Sequence, residues 1–414
     1  MLERASLEAA LELLLSRTAP VAETELRPLA GALGLVSAGE IRAGTDSPPF
    51  DRSPLDGFAL HSGDTLGASP ENPVRLRIAG TLYTGGVYSR ALRPGEALRI
   101  MTGAAMPEGA DCMAPKEALR EDGEDVLVSR PVARHENYIF RGEDIKQGEL
   151  FLKAGSRLDF ASLGMLAAMG RGSVEVYRPL SIGLCCIGDE LTPADTPLEP
   201  GKIYNSNGVM LAARLAEYGF SCRPPLTLRD DPAEAAGEIA SLIDALDILI
   251  TVGSVSVGDK DIMGAVFDRL RVERELSRLA FKPGSAFLCG RLRGRRIFCL
   301  SGNPFAALAT MELVARPVLA KLSRREDLNT ARAKAVLRTP YPGGKSGARR
   351  FLRGRLAKSA GDGLPAVTLP EGHSSGRLFS LSGCNCLVDL EAGAGALPCG
   401  AEVNVVQLGV SGNL

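Results

Sequence analysis

No run of roughly 18 apolar residues occurs anywhere in the chain, which excludes a membrane-spanning helix by length alone. Charge of one sign is not in excess either. There are 48 basic and 49 acidic residues, a net charge of −1, so no global field gathers nucleic acid or an acidic bilayer. Any anion this protein binds must be gripped locally. Two runs look basic, RLRGRR (291–296) and GARRFLRGR (347–355), but their charges alternate with apolar residues as on the solvated faces of strands, and no aromatic platform stands beside them. Paired metal-ligand cysteine spacing is missing as well. Nine cysteines are present, with Cys185, Cys186 and Cys299 inside apolar runs, and a chain of this size needs no disulfide frame, so reduced core thiols are expected. Cys384-Asn385-Cys386 puts two thiols on one strand face, but no second pair follows to complete a metal site. A secretory signal is excluded because Glu3, Glu8 and Glu12 interrupt the apolar positions of MLERASLEAALELLLSRTAP, a pattern that suits an amphipathic helix. The expectation is a cytoplasmic protein that binds neither nucleic acid nor membrane.

What is present is enough chain for about three folding units, at roughly 150 residues each. Residues 1–45 read as helices, and 141–176 return to helical spacing in FASLGMLAAMG (160–170), so together they form a helical domain. Between them, residues 46–140 carry short strands punctuated by Pro and Gly, a β-rich module inserted into that domain. Over 177–325 strand and helix alternate, from SIGLCCIG through DILITVG to RIFCLSG, which implies a parallel sheet covered by helices on both faces. Beyond it, 326–414 contains only strand-like pieces and should close as a small β-barrel or sandwich.

The stretch DILITVGSVSVGDKDIM (247–263) points to chemistry. ILITV is apolar throughout, as a strand buried on both faces must be, and IMGAVFDRL has its apolar residues on one helical face. The turn between them therefore lies at the C-terminal edge of a parallel sheet, where open α/β folds bind ligands. Gly253, Ser254, Ser256 and Gly258 keep that turn narrow and leave backbone N–H groups for a phosphate or another oxyanion. Asp259 and Asp261 fit the same place if a divalent cation lies between carboxylates and phosphate, as Mg²⁺ commonly does. They equally suit a helix N-terminus, and on these residues alone both readings stand. Ser301, Gly302 and Asn303 end the strand RIFCL and start another helix at Pro304. Arg278 and Lys282, in SRLAFKPG, could reach this sheet edge to hold phosphoryl or oxyanion oxygens. GGKS (343–346) resembles a phosphate loop only in part, because Thr339 stands where that motif needs Gly.

The ordered set SPLDGFAL (53–60), RIMTGAAMPEGADCMAPKE (99–117), NYIFRGEDIKQGE (137–149), IGDEL (187–191), IYNSNGVML (203–211), LRDDP (228–232), VGSVSVGDKD (252–261), FKPG (281–284) and SGNPFAA (301–307) resembles the molybdopterin molybdenumtransferase family, MoeA and the related C-terminal domain of gephyrin. That family inserts molybdate into adenylylated molybdopterin. The resemblance implies a multi-domain α+β and α/β fold: a helical domain with an inserted β module, a three-layer α/β domain like the pterin-adenylating enzymes, and a C-terminal β-barrel. It implies an elongated homodimer whose site lies between the α/β domain of one subunit and the β module of the other. Mg²⁺ is the implied cofactor, adenylylated molybdopterin and molybdate the substrates, with AMP released. A pterin-adenylating enzyme and recipient molybdoenzymes are the implied partners. By position in matching motifs, Asp56, Asp144, Glu190, Asp230 and Asp261 fall on the family's functional acids and Thr102 in its TGA loop. Asp259 and Asp261 are assigned to metal as a group, Asp56 and Glu190 to positioning or acid–base work. Asp230 could instead cap the helix that starts at Pro232, and Asp144 could hold a turn. The chain departs from the family at Leu55 and Phe58, at Ser254 inside a Gly-Gly pair, at Arg278 and Ser285 where lysines are usual, and at Ser301. Loss of a cation at Ser285 raises the alternatives of a cofactor-binding and delivery protein, or a divergent paralogue that uses another oxyanion such as tungstate. Pterin adenylation itself is a third reading, which the β module and the barrel do not require.

Overall fold

The computed structural model describes residues 1–255, 262–344, 347–358, 363–372 and 374–409. The chain packs as two units, one of Met1–Glu25, Gly34–Val36 and Tyr177–Leu414, the other of Leu26–Leu33 and Ser37–Val176. No helix among the described residues is long and apolar enough to cross a membrane.

The first unit is organised around a seven-stranded sheet. Its strand order is Leu2–Ala5, Glu273–Leu279, Phe287–Leu292, Arg295–Leu300, Ile248–Val252, Ile182–Ile187 and Leu226–Leu228. The last four run parallel. Alternation along these strands splits the core in two: Ile250, Val252, Phe298 and Leu300 face one helical layer, while Leu249, Ile297 and Cys299 face the other. Continuous apolar strands are therefore buried on both faces, as their composition predicts. The sheet is not wholly parallel, however. Phe287–Leu292 and Arg295–Leu300 form an antiparallel hairpin whose two-residue turn, Arg293-Gly294, has positive φ at both positions.

Two other expectations are corrected. Residues 1–45 are not all helical: only Leu7–Ser16 is a regular α-helix there, and Leu2–Ala5 pairs in parallel with Glu273–Leu279. The Ser6 side chain accepts from Ala9 N and fixes the start of the helix, which frees the preceding residues for the sheet edge. The basic runs are not solvated faces throughout either. Arg296 is buried against Glu275, and Arg353 is fully buried on the outer face of its barrel strand, over the Phe305 ring.

That barrel closes because each of five strands pairs with two others: Arg332–Leu337, Arg349–Ala357, Ala366–Thr368, Cys386–Leu390 and Glu402–Gln407. Leu352, Val367, Val388 and Val405 fill it. One short strand, Phe281–Lys282, leaves the α/β layer and pairs in parallel with Arg349 and Arg350 on the barrel. The second unit carries a six-stranded sheet ordered Cys112–Pro115, Gly57–Leu60, Glu96–Ile100, Val74–Leu82, Asp125–Val128 and Leu119–Asp122. Its helix Phe160–Ala168 is closed by a capping box between Asp159 and Ser162.

Candidate functional site

Three parallel strands end at one rim, and the short edge strand Leu226–Leu228 joins them there. Gly188 follows Ile182–Ile187, with the Glu190 carboxylate folded back against it. Gly253 follows Ile248–Val252 with φ 98°, and any Cβ there would run into the Ile187 carbonyl. Ser301, Gly302 and Asn303 follow Arg295–Leu300, and Asp230 follows Leu226–Leu228. The rim opens into a cleft of about 870 Å³ that Glu190, Asp230, Ser254, Ser301, Gly302 and Asn303 all line. The carboxyl edge of a doubly wound sheet is where such folds take ligands.

Asp230 is held but not spent. The Ser254 hydroxyl donates to one carboxylate oxygen, and Asp189 N donates to the other at 3.2 Å. The helix Pro232–Leu242 is capped by the next residue, Asp231, which accepts from Ala233 N at 2.7 Å and Glu234 N at 2.8 Å. Those two backbone bonds hold the Asp231 carboxyl below the usual range. Capping therefore does not account for Asp230. Asn303 occupies the N-cap position of Pro304–Thr310, yet its side chain makes no hydrogen bond to the helix.

Ser254 has φ 51°, left-handed backbone that a serine holds at a cost of about 1 kcal/mol or more. Ser254→Ala loses the bond to Asp230 and keeps the strain, whereas Ser254→Gly loses the bond and releases it. The alanine variant is expected to be less stable than the glycine variant by about 1 kcal/mol in denaturant unfolding. Equal stabilities would show that this backbone is unstrained.

Cations reach the same cleft from the barrel side. Lys282 and Arg350 are directly opposite each other in the short parallel ladder. The neighbouring Arg349 is consumed by Asp389, at 2.7 and 2.6 Å, and by Glu8 at 2.6 Å. Lys282 and Arg350 have no carboxylate partner among the described residues. Like charges set opposite one another in a sheet repel, and an anion between them would relieve that repulsion. Arg350 was hidden in a run that reads as a solvated strand face. Nothing local marks it, because its significance comes from a pairing with Lys282, far off in sequence. Arg353 was missed for the same reason. Its guanidinium lies 4.3 Å from the centre of the Phe305 ring and donates to the carbonyls of Gly372, Ser374 and Arg377, while its Nε has no partner. Burial lowers its pKa. By these bonds Arg353 holds Ser374, which lines the cleft beside Ser375.

Arg278 does not join Lys282 in the large cleft. It lines a second cavity of about 420 Å³, which shares Val255, Lys282, Ser285 and Ala286 with the first. In the other unit, Asp56 accepts from Thr102 N at 2.8 Å and Thr102 Oγ1 at 2.7 Å. These two bonds, with Lys116 nearby, keep the Asp56 carboxyl below its ordinary value and therefore ionised. Gly57 lets the strand that follows pass close to Ala114, whose carbonyl a side chain there would strike. Asp144 is held separately, accepting from Ser47 Oγ at 3.4 Å. Ser256, Gly258, Asp259 and Asp261 lie outside the described residues. Among the described residues, no group of three or more His, Cys, Asp or Glu side chains is arranged to hold a metal ion.

Comparison with known proteins covers most of the chain. Residues 5–170 match the MoeA N-terminal region (domain I and II), 183–321 a probable molybdopterin binding domain, and 334–408 the MoeA C-terminal region (domain IV). The molybdopterin molybdenumtransferase of Bacillus subtilis is 34% identical over 391 residues, spanning 93% of this chain and 90% of its own. That of Staphylococcus aureus is 31% identical over 376 residues, 91% of this chain and 89% of its own. Among solved structures, a molybdopterin biosynthesis MoeA protein from Pyrococcus horikoshii superposes with a TM-score of 0.79 at 29% identity, covering 98% of this chain and 99% of that one.

Proposed function

Because this chain belongs to the molybdopterin molybdenumtransferase family, we propose that its 870 Å³ cleft binds adenylylated molybdopterin and molybdate and joins them with release of AMP. It is a transferase of molybdenum cofactor biosynthesis. The observation that carries the finer reading is the facing of two unneutralised cations, Lys282 and Arg350, and the rim carboxylates Glu190 and Asp230 across one cleft. Both substrates are anionic, and cations alone would bind them without cleaving anything. In the proposed reaction the dithiolene sulfurs displace two molybdate oxygens as water, and one water is consumed in hydrolysing the pyrophosphate bond. Molybdenum keeps its oxidation state, and one water is released overall.

Lys282 and Arg350 hold the oxyanion. Ser374, fixed by the buried Arg353, adds a hydrogen-bonding edge. Ser254, Ser301, Gly302 and Asn303 shape the rim around the substrate phosphates, and Gly253 keeps the turn behind them close to Ile187. Glu190 and Asp230 position the water or move its proton. Asp56, held ionised by Thr102, and Asp144 are proposed as further functional acids from their places in the family's motifs. Hard carboxylate oxygens at the rim fit Mg²⁺ rather than a soft metal. Asp259 and Asp261, from the sequence motif, would hold it, and it would supply charge neutralisation on the phosphoryl oxygens. The cation absent at Ser285 has a counterpart in Arg350, which supports turnover over cofactor delivery alone. A homodimer that receives substrate from a pterin-adenylating enzyme and serves molybdoenzymes completes the proposal.

Purified full-length protein incubated with adenylylated molybdopterin, Mg²⁺ and molybdate should release AMP. The same incubation with tungstate distinguishes the preferred oxyanion. No AMP at any concentration of either would overturn the reading.

A further inference from the structure

The helix Ser206–Glu217 starts beside the rim with two asparagines that do different work. Asn205 is its N-cap: the side chain accepts from Gly208 N at 3.0 Å, and the amide nitrogen donates to Thr227 Oγ1 at 3.2 Å, which registers the helix on the edge strand Leu226–Leu228. Asn207 caps nothing. Its Nδ2 donates to the Gly302 carbonyl at 2.6 Å, while its Oδ1 is buried without a partner among the described residues. Only the amide nitrogen can donate to a carbonyl, so this contact fixes which way round the amide sits. A buried acceptor left unpaired works against stability, and the gain from one bond to an exposed carbonyl does not outweigh it. The use of Asn207 lies in what it holds.

What it holds is one side of a peptide. The Gly302–Asn303 bond is not among the cis peptides, so its carbonyl and its N–H point in opposite directions. The carbonyl is drawn towards Asn207, a residue that does not line the cleft, and the Asn303 N–H is thereby turned the other way. Its acceptor there is Ser301 Oγ at 3.4 Å, longer than an ordinary N–H···O bond, and Ser301, Gly302 and Asn303 all line the cleft. That N–H is open to a better acceptor. Were the peptide turned over, a carbonyl oxygen would face the cleft in its place and repel an anion.

We propose that Asn207 is a positioning residue for phosphate binding in the large cleft: it turns the Gly302 carbonyl away from the ligand and so leaves the Asn303 N–H to donate to a phosphate oxygen. It acts through the peptide and touches no ligand itself. That the phosphate belongs to an adenylylated substrate rests on the function proposed above; the orienting of the peptide does not.

Calorimetric titration of the full-length protein with AMP tests this directly. Asn207→Leu and the smaller Asn207→Ala should each bind AMP at least about tenfold more weakly than the parent, the usual worth of a backbone N–H given to a charged oxygen. Asn207→Leu removes the orphan acceptor together with the donor, and the exposed Gly302 carbonyl turns to water, so this variant should melt no lower than the parent. Asn205→Ala, which removes the cap, should melt lower. In turnover the Asn207 variants should raise KM by the same factor and keep kcat, as the loss of uniform binding requires. A crystal of the parent soaked with AMP should place a phosphate oxygen within hydrogen-bond distance of Asn303 N. Unchanged affinity in both variants, an affinity loss that only follows a lowered melting temperature, a phosphate seated away from Asn303 N, or no binding of AMP by the parent would each overturn the positioning role. A parent that binds AMP through Asn303 N yet releases none from the adenylylated substrate would uphold that role and overturn the reaction proposed above.

Discussion

Asp230→Asn is expected to lower AMP release by roughly 10²- to 10⁴-fold, the usual worth of a positioned acid–base group, and to leave the melting temperature nearly unchanged. Asparagine keeps the shape and still accepts from Ser254, but its amide nitrogen cannot accept from Asp189 N, so the charge, the proton-accepting oxygen and that one 3.2 Å bond are lost. The neighbouring acid should behave in the opposite way. Asp231 accepts from two N–H groups of the helix that starts at Pro232, so Asp231→Ala should cost about 1 kcal/mol of stability and spare turnover. The two carboxylates are adjacent in sequence and opposite in duty, which makes the pair its own control. If Asp230→Asn melts early and Asp231→Ala is silent, the capping assignment is reversed and the rim has lost one of its two described acids. Activity retained in Asp230→Asn would move the proton-transfer role to Glu190.

The rim was legible because its information is local. A run such as ILITV reads as a strand buried on both sides and the Gly after it as a turn, and the structure bears out both, with Gly253 at φ 98° against the Ile187 carbonyl. Strand, narrow turn and helix in succession put Ser254 and Asn303 at the ligand edge before any coordinate is known. Which of Asp230 and Asp231 caps was not legible, since both precede the same proline and the choice depends on backbone angles. The cations were less legible still. Lys282 was singled out, but Arg350 matters only through a ladder between the α/β layer and the barrel, and Arg278 lines a different cavity from a left-handed backbone position. Arg296 and Arg353 looked like surface charge since alternation in a strand does not tell which face is wet. Each is buried by an element far away in sequence, Leu7–Ser16 in one case and the segment carrying Ser374 in the other. The strand Leu2–Ala5 was masked by the helical pattern that follows it, and only the Ser6 cap separates them.

Glu312→Ala should be the most damaging single change to the fold of the larger unit, at about 3–5 kcal/mol. Glu312, Arg316 and Tyr218 are buried side by side, with Arg214 at their edge. Glu312 Oε1 accepts from Arg214 Nε and from the Tyr218 hydroxyl, each at 2.6 Å, and Oε2 accepts from Arg316 Nη1 at 3.0 Å. Both guanidiniums lie over the Tyr218 ring, at 4.8 and 5.1 Å from its centre. Arg316 also donates to the carbonyls of Leu328, Leu408 and Gly409, at 2.7, 3.1 and 2.8 Å. The network thus ties the end of the last barrel strand to the α/β layer, and Glu312 is its only buried anion among the described residues. Without it a fully buried guanidinium is left uncompensated, which costs far more than a surface pair of the same geometry. Denaturant unfolding followed by far-UV circular dichroism should show the loss; a cost under about 1 kcal/mol would mean that water or rearranged carbonyls replace the carboxylate. The same network sets an alkaline limit. Burial, and next the Glu312 charge, hold the Tyr218 hydroxyl well above the ordinary phenol range. A raised pKa means that the folded state keeps a proton the unfolded chain gives up, so this contribution is intact below about pH 10 and is lost as pH rises past it. Buried thiols such as Cys185 and Cys386, pushed up to about 12, act in the same direction from a lower starting pH. The Tyr218 share is therefore the difference between parent and Tyr218→Phe: the stability gap between them should be constant up to about pH 9 and narrow above it. A gap that stays constant through pH 11 would show that this hydroxyl ionises as freely in the fold as in water.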